Sequence, residues 1–177
     1  MMQTEYFENT YVYEVKMKRK VETDYNRIIF NGRPDPLYSG GHWDDGYILQ
    51  YSNSGTWQIY KHNNGVSSLL GSGASPYIEP FDWNTWTIWT HYPNTYIWVN
   101  GIFVTNFSDT SFAGGWVGVG MYQSSSVKAP LLVDYAKVYY SSIRPLDVPL
   151  TPEGEIDPAY ILPEVNSSTG GGEDLIE

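Results

Sequence analysis

Up to residue 144 the chain consists of short runs of alternating side chains, and no run of useful length carries a helical period. From Tyr11 to Met17 the residues Tyr11, Tyr13, Val15 and Met17 share one side of an extended chain, and Val12, Glu14 and Lys16 share the other. That period of two marks a half-buried strand. Similar runs follow as RIIF (27–30), GYILQY (46–51), TWQIYK (56–61) and VSSLL (66–70), separated by NGRPDP, SGGHWDDG, SNSG and HNNG. Such Gly-, Pro- and Asn-rich segments break regular structure. GWVGVGMY (115–122) and PLLVDYAKVYY (130–140) close the series. With 16 tyrosines and 7 tryptophans among 177 residues, the runs have the composition of strands. The expectation is an all-β fold, a two-sheet antiparallel jelly-roll sandwich.

Two hairpins are defined more closely. A turn at Pro93-Asn94 would set Trp89 opposite Trp98, His91 opposite Tyr96 and Ile88 opposite Val99. Asn100-Gly101 suits a two-residue type I′ turn, because both central residues need positive φ. It sets Val99 opposite Ile102 and Trp98 opposite Phe103. One face then reads Ile88, Ile97, Val99, Ile102 and Val104, of which Ile88, Ile97 and Val99, together with Trp86, belong to the core. The other reads Trp89, His91, Tyr96, Trp98 and Phe103, and needs a partner.

Charge divides the chain in two. Of the net −10, −8 falls after Arg144, in a stretch with five prolines, eight acids and no base. Residues 1–144 are therefore expected to form the folded domain, and 145–177 an acidic Pro/Gly-rich tail or linker. Within the tail, Tyr160, Ile161 and Leu162 are the expected contact to a partner, through which the chain would form an oligomer. The nearly neutral domain offers no footprint for nucleic acid. No segment approaches the roughly 18 apolar residues of a membrane span. The chain has no cysteine, which excludes disulfides, a thiol nucleophile and cysteine-ligated zinc.

Taken in order, DDGYILQYSNSGTWQIYK, FDWNTWTIW, YIWVNGIFVTNFSD, FAGGWVGVG and LLVDYAKVYY resemble the concanavalin A-like, laminin G-like jelly-roll superfamily. The likeness spans about residues 5–140 and is strongest to the bacterial branch that supplies lectin-type carbohydrate-binding modules. The resemblance implies a glycan-binding, extracellular or surface-exposed domain. In that branch the strand matching RIIFNG often ends in an arginine that reaches a sugar; here Asn31 stands there, with Arg33 nearby.

The chemistry fits binding better than catalysis. Retaining glucanases on a similar fold carry two acids on one strand face, about 5 Å apart, and no such pattern occurs. The residues Asp44, Asp45, Glu79 and Asp82 fall in expected loops, and His42, His62 and His91 flank no catalytic serine. Calcium is the metal expected of such a fold, with Asp44 and Asp45, or Asp134 with Glu14, as its oxygen ligands. Aromatic rings stack on the C–H faces of sugars. Trp89, His91, Tyr96 and Trp98 are thus the expected glycan site, with Trp43 and Trp116 at its rim. The leading expectation is a non-catalytic carbohydrate-binding domain. The alternative is a structural or adhesion subunit of a surface or virion assembly, whose tail contacts neighbouring subunits.

Overall fold

A computed structural model describes residues 7–20, 24–37, 43–123 and 129–141, and the tail expected to make contacts through Tyr160, Ile161 and Leu162 lies outside them. The described residues contain no helix. Their strands are β1 (Phe7–Glu8), β2 (Thr10–Lys18), β3 (Tyr25–Leu37), β4 (Trp43–Ser52), β5 (Thr56–Asn63), β6 (Val66–Ala74), β7 (Asn84–His91), β8 (Asn94–Val99), β9 (Ile102–Ser108), β10 (Gly114–Tyr122) and β11 (Leu132–Tyr139). They form two antiparallel sheets, ordered β1-β10-β3-β4-β5-β6 and β11-β2-β7-β8-β9.

Alternation decides what lies between the sheets. Tyr11, Tyr13, Val15 and Met17 of β2 turn inward against Ile28 and Phe30 of β3 and Tyr47, Leu49 and Tyr51 of β4. Trp86, Ile88, Ile97 and Val99 complete the layer from β7 and β8, as the alternation predicts. Two core tyrosines keep their hydroxyls bonded: Tyr11 donates to Asn31 Oδ1 at 2.6 Å and Tyr51 to the Met17 carbonyl at 3.2 Å. Burial pushes the Tyr13 and Tyr51 phenols up, so both stay neutral.

The β7–β8 hairpin differs from expectation by two residues. Trp89 faces Tyr96, Ile88 faces Ile97 and His91 faces Asn94, while Trp98 lies opposite Thr87. The turn is made by Tyr92 and Pro93, joined by a cis peptide bond, as in turns that carry proline at their third position. A slip of two residues changes every cross-strand partner and leaves every side chain on its face. The following turn is as predicted, with Asn100 and Gly101 at φ of 50° and 81° and Val99 opposite Ile102.

The sheet margins are irregular. β1 has two residues, and the pairings of β6, β9 and β11 each contain a register shift. In β6 the shift lies between Ile59↔Gly71 and Tyr60↔Leu69. One extra residue, Leu70, thereby turns into the core, and Ser67 stands opposite His62.

Candidate functional site

Each sheet has an outer face, and the two differ in chemistry. On the six-stranded sheet, Arg27 of β3, Gln50 of β4 and Gln58 of β5 occupy one row across three strands. Cross-strand partners share a face, so sequence alternation and register together bring them side by side. Arg27 Nε donates to Gln50 Oε1 at 3.2 Å, and Gln50 Nε2 donates to Gln58 Oε1 at 2.7 Å. The guanidinium lies 5.1 Å from the centre of the Tyr122 ring. Burial pulls the Arg27 pKa down, with Tyr122 and Tyr60 acting the other way, yet an arginine remains a cation at any ordinary pH.

Beside this row lies a groove of about 250 Å³ lined by Arg27, Ile48, Gln50, Tyr60, His62 and Ser67. Its size is just under the roughly 300–1,000 Å³ of typical ligand clefts, enough for a small polar group. The lining combines one fixed cation, an amide, an imidazole, a hydroxyl and a phenol ring with the apolar Ile48. Among the described residues no carboxylate lines it, so these side chains can donate, accept and stack but supply no pair of acids for bond cleavage.

Trp43 and Trp116 also lie on this sheet, in a cluster with Ile29 and Ile48. Trp43 is buried and pressed against Gly32, where an added Cβ would fall 2.0 Å from its ring. The expected grouping of Trp43 and Trp116 with Trp89 and Trp98 is thereby corrected: the pairs occupy different sheets, because β4 and β10 belong to one and β7 and β8 to the other. Asn31 faces inward, accepting from Tyr11 and donating to the Phe112 carbonyl at 3.1 Å, and Arg33 is exposed.

The outer face of the five-stranded sheet carries Val12, Trp89, Tyr96 and Trp98, with Phe103 packed against them. Trp89 stacks on Tyr96 at 5.1 Å between ring centres and on His91 at 5.4 Å, and Trp98 meets Phe103 edge-on at 5.7 Å. Exposure is 8% for Trp89, 6% for Tyr96 and 1% for Trp98, which leaves little ring surface for a sugar. His91 is exposed and within 3.3 Å of Thr10 Oγ1.

Three of the four proposed calcium ligands have their carboxylates engaged elsewhere, while Asp44 Oδ1 is buried without a hydrogen-bond partner. Asp44 and Asp45 stand within β4, where loops were expected; Asp45 Oδ1 accepts from Asn64 N at 2.8 Å and the Asp44 carbonyl from Gly65 N at 3.1 Å, bracing the β5–β6 turn. Asp134 pairs with Lys16 at 2.8 Å, and Glu14 accepts from Tyr135 at 2.7 Å and pairs with Lys137 at 2.8 Å. Calcium takes six to eight oxygen ligands, more than either pair of carboxylates supplies by itself. Among the described residues no three metal-ligating side chains converge.

Sequence reasoning missed Arg27, Gln50, Tyr60 and Ser67. Alternation in GYILQY and TWQIYK marks Gln50 and Tyr60 as outward, but only register shows that they meet Arg27.

No family model matches the chain, and no curated protein matches it in sequence. Solved structures do match. A carbohydrate-binding module, CBM66 from Bacillus subtilis, superposes with a TM-score of 0.61 at 15% identity, over 79% of this chain and 78% of that one. Galectin-11 of sheep, in complex with glycerol, gives 0.58 at 9% identity, over 78% and 96%. A glycosidic hydrolase gives 0.61 at 16% identity, over 80% and 69%. At these identities the likeness establishes the fold alone, a two-sheet antiparallel jelly-roll sandwich.

Proposed function

We propose that this jelly roll is a non-catalytic glycan-binding domain, and that it holds sugar in the groove on its six-stranded sheet. The observation that carries the reading is the braced Arg27–Gln50–Gln58 row beside Tyr60 and His62. Sugar hydroxyls both donate and accept, so a site that recognises them needs polar groups of both kinds, fixed before binding. Tyr60 in the groove, and Tyr122 beyond Arg27, supply ring faces for the sugar C–H surface. Aromatic stacking thus stays in the proposal, moved from the covered Trp89–Tyr96–Trp98 face to the open one. The carbohydrate-binding module and the galectin among similar structures support glycan binding in general, and such a role fits a secreted or surface-displayed domain.

The glycosidic hydrolase keeps an enzymatic reading in view, and the described residues that line the groove, which include no carboxylate, favour binding. A glycan array with the full chain tests the proposal. Binding to a defined sugar class should weaken about ten-fold or more in Arg27→Ala, the loss expected for a charged hydrogen bond of ~1.5–3 kcal/mol, and should persist in Trp98→Phe. No binding to any sugar, or binding indifferent to Arg27→Ala and Tyr60→Ala, overturns it.

A further inference from the structure

The aromatic outer face of the five-stranded sheet presents a different problem. Its cluster consists of Val12, Trp89, Tyr96 and Trp98 with Phe103 beside them, side chains from one face of one sheet. A ring on the outside of a two-layer sandwich ordinarily shows its upper face to water, and Trp98 is 1% exposed. Two polar atoms on the same face are buried and have no hydrogen-bond partner: Trp98 Nε1, a donor, and Asn106 Oδ1, an acceptor. Asn106 stands opposite Tyr96, so both atoms belong to neighbouring strands β8 and β9. Buried polar atoms are nearly always satisfied in folded proteins. A donor and an acceptor beside apolar rings match the carbonyl and N–H of an extended peptide.

The chain itself leads to this face. Trp89 Nε1 donates to the carbonyl of Ser141 at 3.1 Å, which ties the last described residue to the cluster. Thirty-six residues follow Ser141, and eighteen steps separate it from Ala159. Their extended reach is roughly 60 Å, ample to cross five strands spaced about 4.8 Å apart. The cluster carries no charge. In the acidic tail, the apolar trio Tyr160, Ile161 and Leu162 is bracketed by Pro158 and Pro163, a local composition that favours an extended backbone.

We infer that residues 142–177 dock back on this face, with Tyr160–Leu162 covering Trp89, Tyr96 and Trp98. The face is then a site for the chain's own tail, and the groove on the opposite sheet stays open.

The chain has no cysteine, so Ala159→Cys in the full-length protein accepts a single nitroxide label. Indole N–H resonances are read by NMR and assigned with Trp89→Phe and Trp98→Phe. Docking predicts selective broadening of the Trp89 and Trp98 signals, reversed on reducing the label and unchanged on dilution. Equal intensities in oxidised and reduced samples would sink the proposal. Broadening that arises only when labelled chains are mixed with isotope-enriched unlabelled chains would also overturn it, and would assign the face to a second copy.

Discussion

Asn31 shows how one side chain can be displaced from the role its position suggests. It follows the RIIF run, where resemblance places a sugar-reaching arginine, yet its backbone has φ of 47° and its side chain points into the core. There it accepts from Tyr11 at 2.6 Å and donates to Phe112 O at 3.1 Å, while its own N–H donates to the Tyr11 oxygen at 3.1 Å. Removing the phenol oxygen strands a buried acceptor and a buried N–H together, so Tyr11→Phe should lower stability by about 2 kcal/mol. Urea unfolding followed by tryptophan fluorescence measures this, and an unchanged midpoint would contradict the network. Asparagine tolerates positive φ better than most residues, but nothing in the local pattern says that a tyrosine twenty positions earlier supplies its partner. The inward turn of Asn31 was therefore illegible in sequence, whereas the inward turn of Tyr11 followed from alternation alone.

At the scale of elements, alternation gave the faces and turn chemistry gave some of the partners. The Asn100-Gly101 turn was legible because its residue types are demanded by positive φ at both places. The Tyr92-Pro93 turn was not, since a proline followed by asparagine also suits a turn one step later, and both alternatives keep Trp89 and Trp98 outward. The polar groove failed to register for the same reason: it depends on which residues of β3, β4 and β5 stand abreast. Glycine substitutions separate backbone strain from crowding. At Gly101 an added Cβ meets nothing within 4 Å, so Gly101→Ala should cost only its left-handed conformation, about 1 kcal/mol. At Gly46 a Cβ would lie 2.6 Å from the Gly32 Cα, so Gly46→Ala adds backbone displacement and should cost at least twice as much. Comparison of the two denaturation midpoints checks the order.

Across the whole molecule, a partly buried ion pair ties the two sheets together. Asp109, just past β9 of one sheet, accepts from Lys61 of β5 at 2.8 Å and from Tyr47 of β4 at 2.7 Å, both in the other sheet. Burial alone would raise the Asp109 pKa, but hydrogen bonds from Lys61, Ser111 and Tyr47 outweigh it and hold the carboxyl below its ordinary value. A carboxylate depressed in the folded state stabilises fully above its unfolded pKa and loses that contribution as pH falls through the folded one. Stability should thus decline as pH falls through the ordinary carboxylate range and on through the lowered Asp109 value, and Asp109→Asn should flatten part of that decline while lowering stability at neutral pH. Thermal melts over a pH series test this, and parallel curves for the two proteins would rule the clamp out.

The irregular margins of the sandwich bear on how it meets other molecules. A two-residue β1 at one boundary, and register shifts along β6, β9 and β11 at the other three, interrupt the regular row of N–H and C=O groups that a foreign strand would need as a template. Natural sheets resist lateral growth by such means. Among the described residues every border is broken in this way, so neither sheet offers a long, regular edge for adding strands from another copy, and recognition of other molecules is left to the polar, grooved surface of the six-stranded sheet.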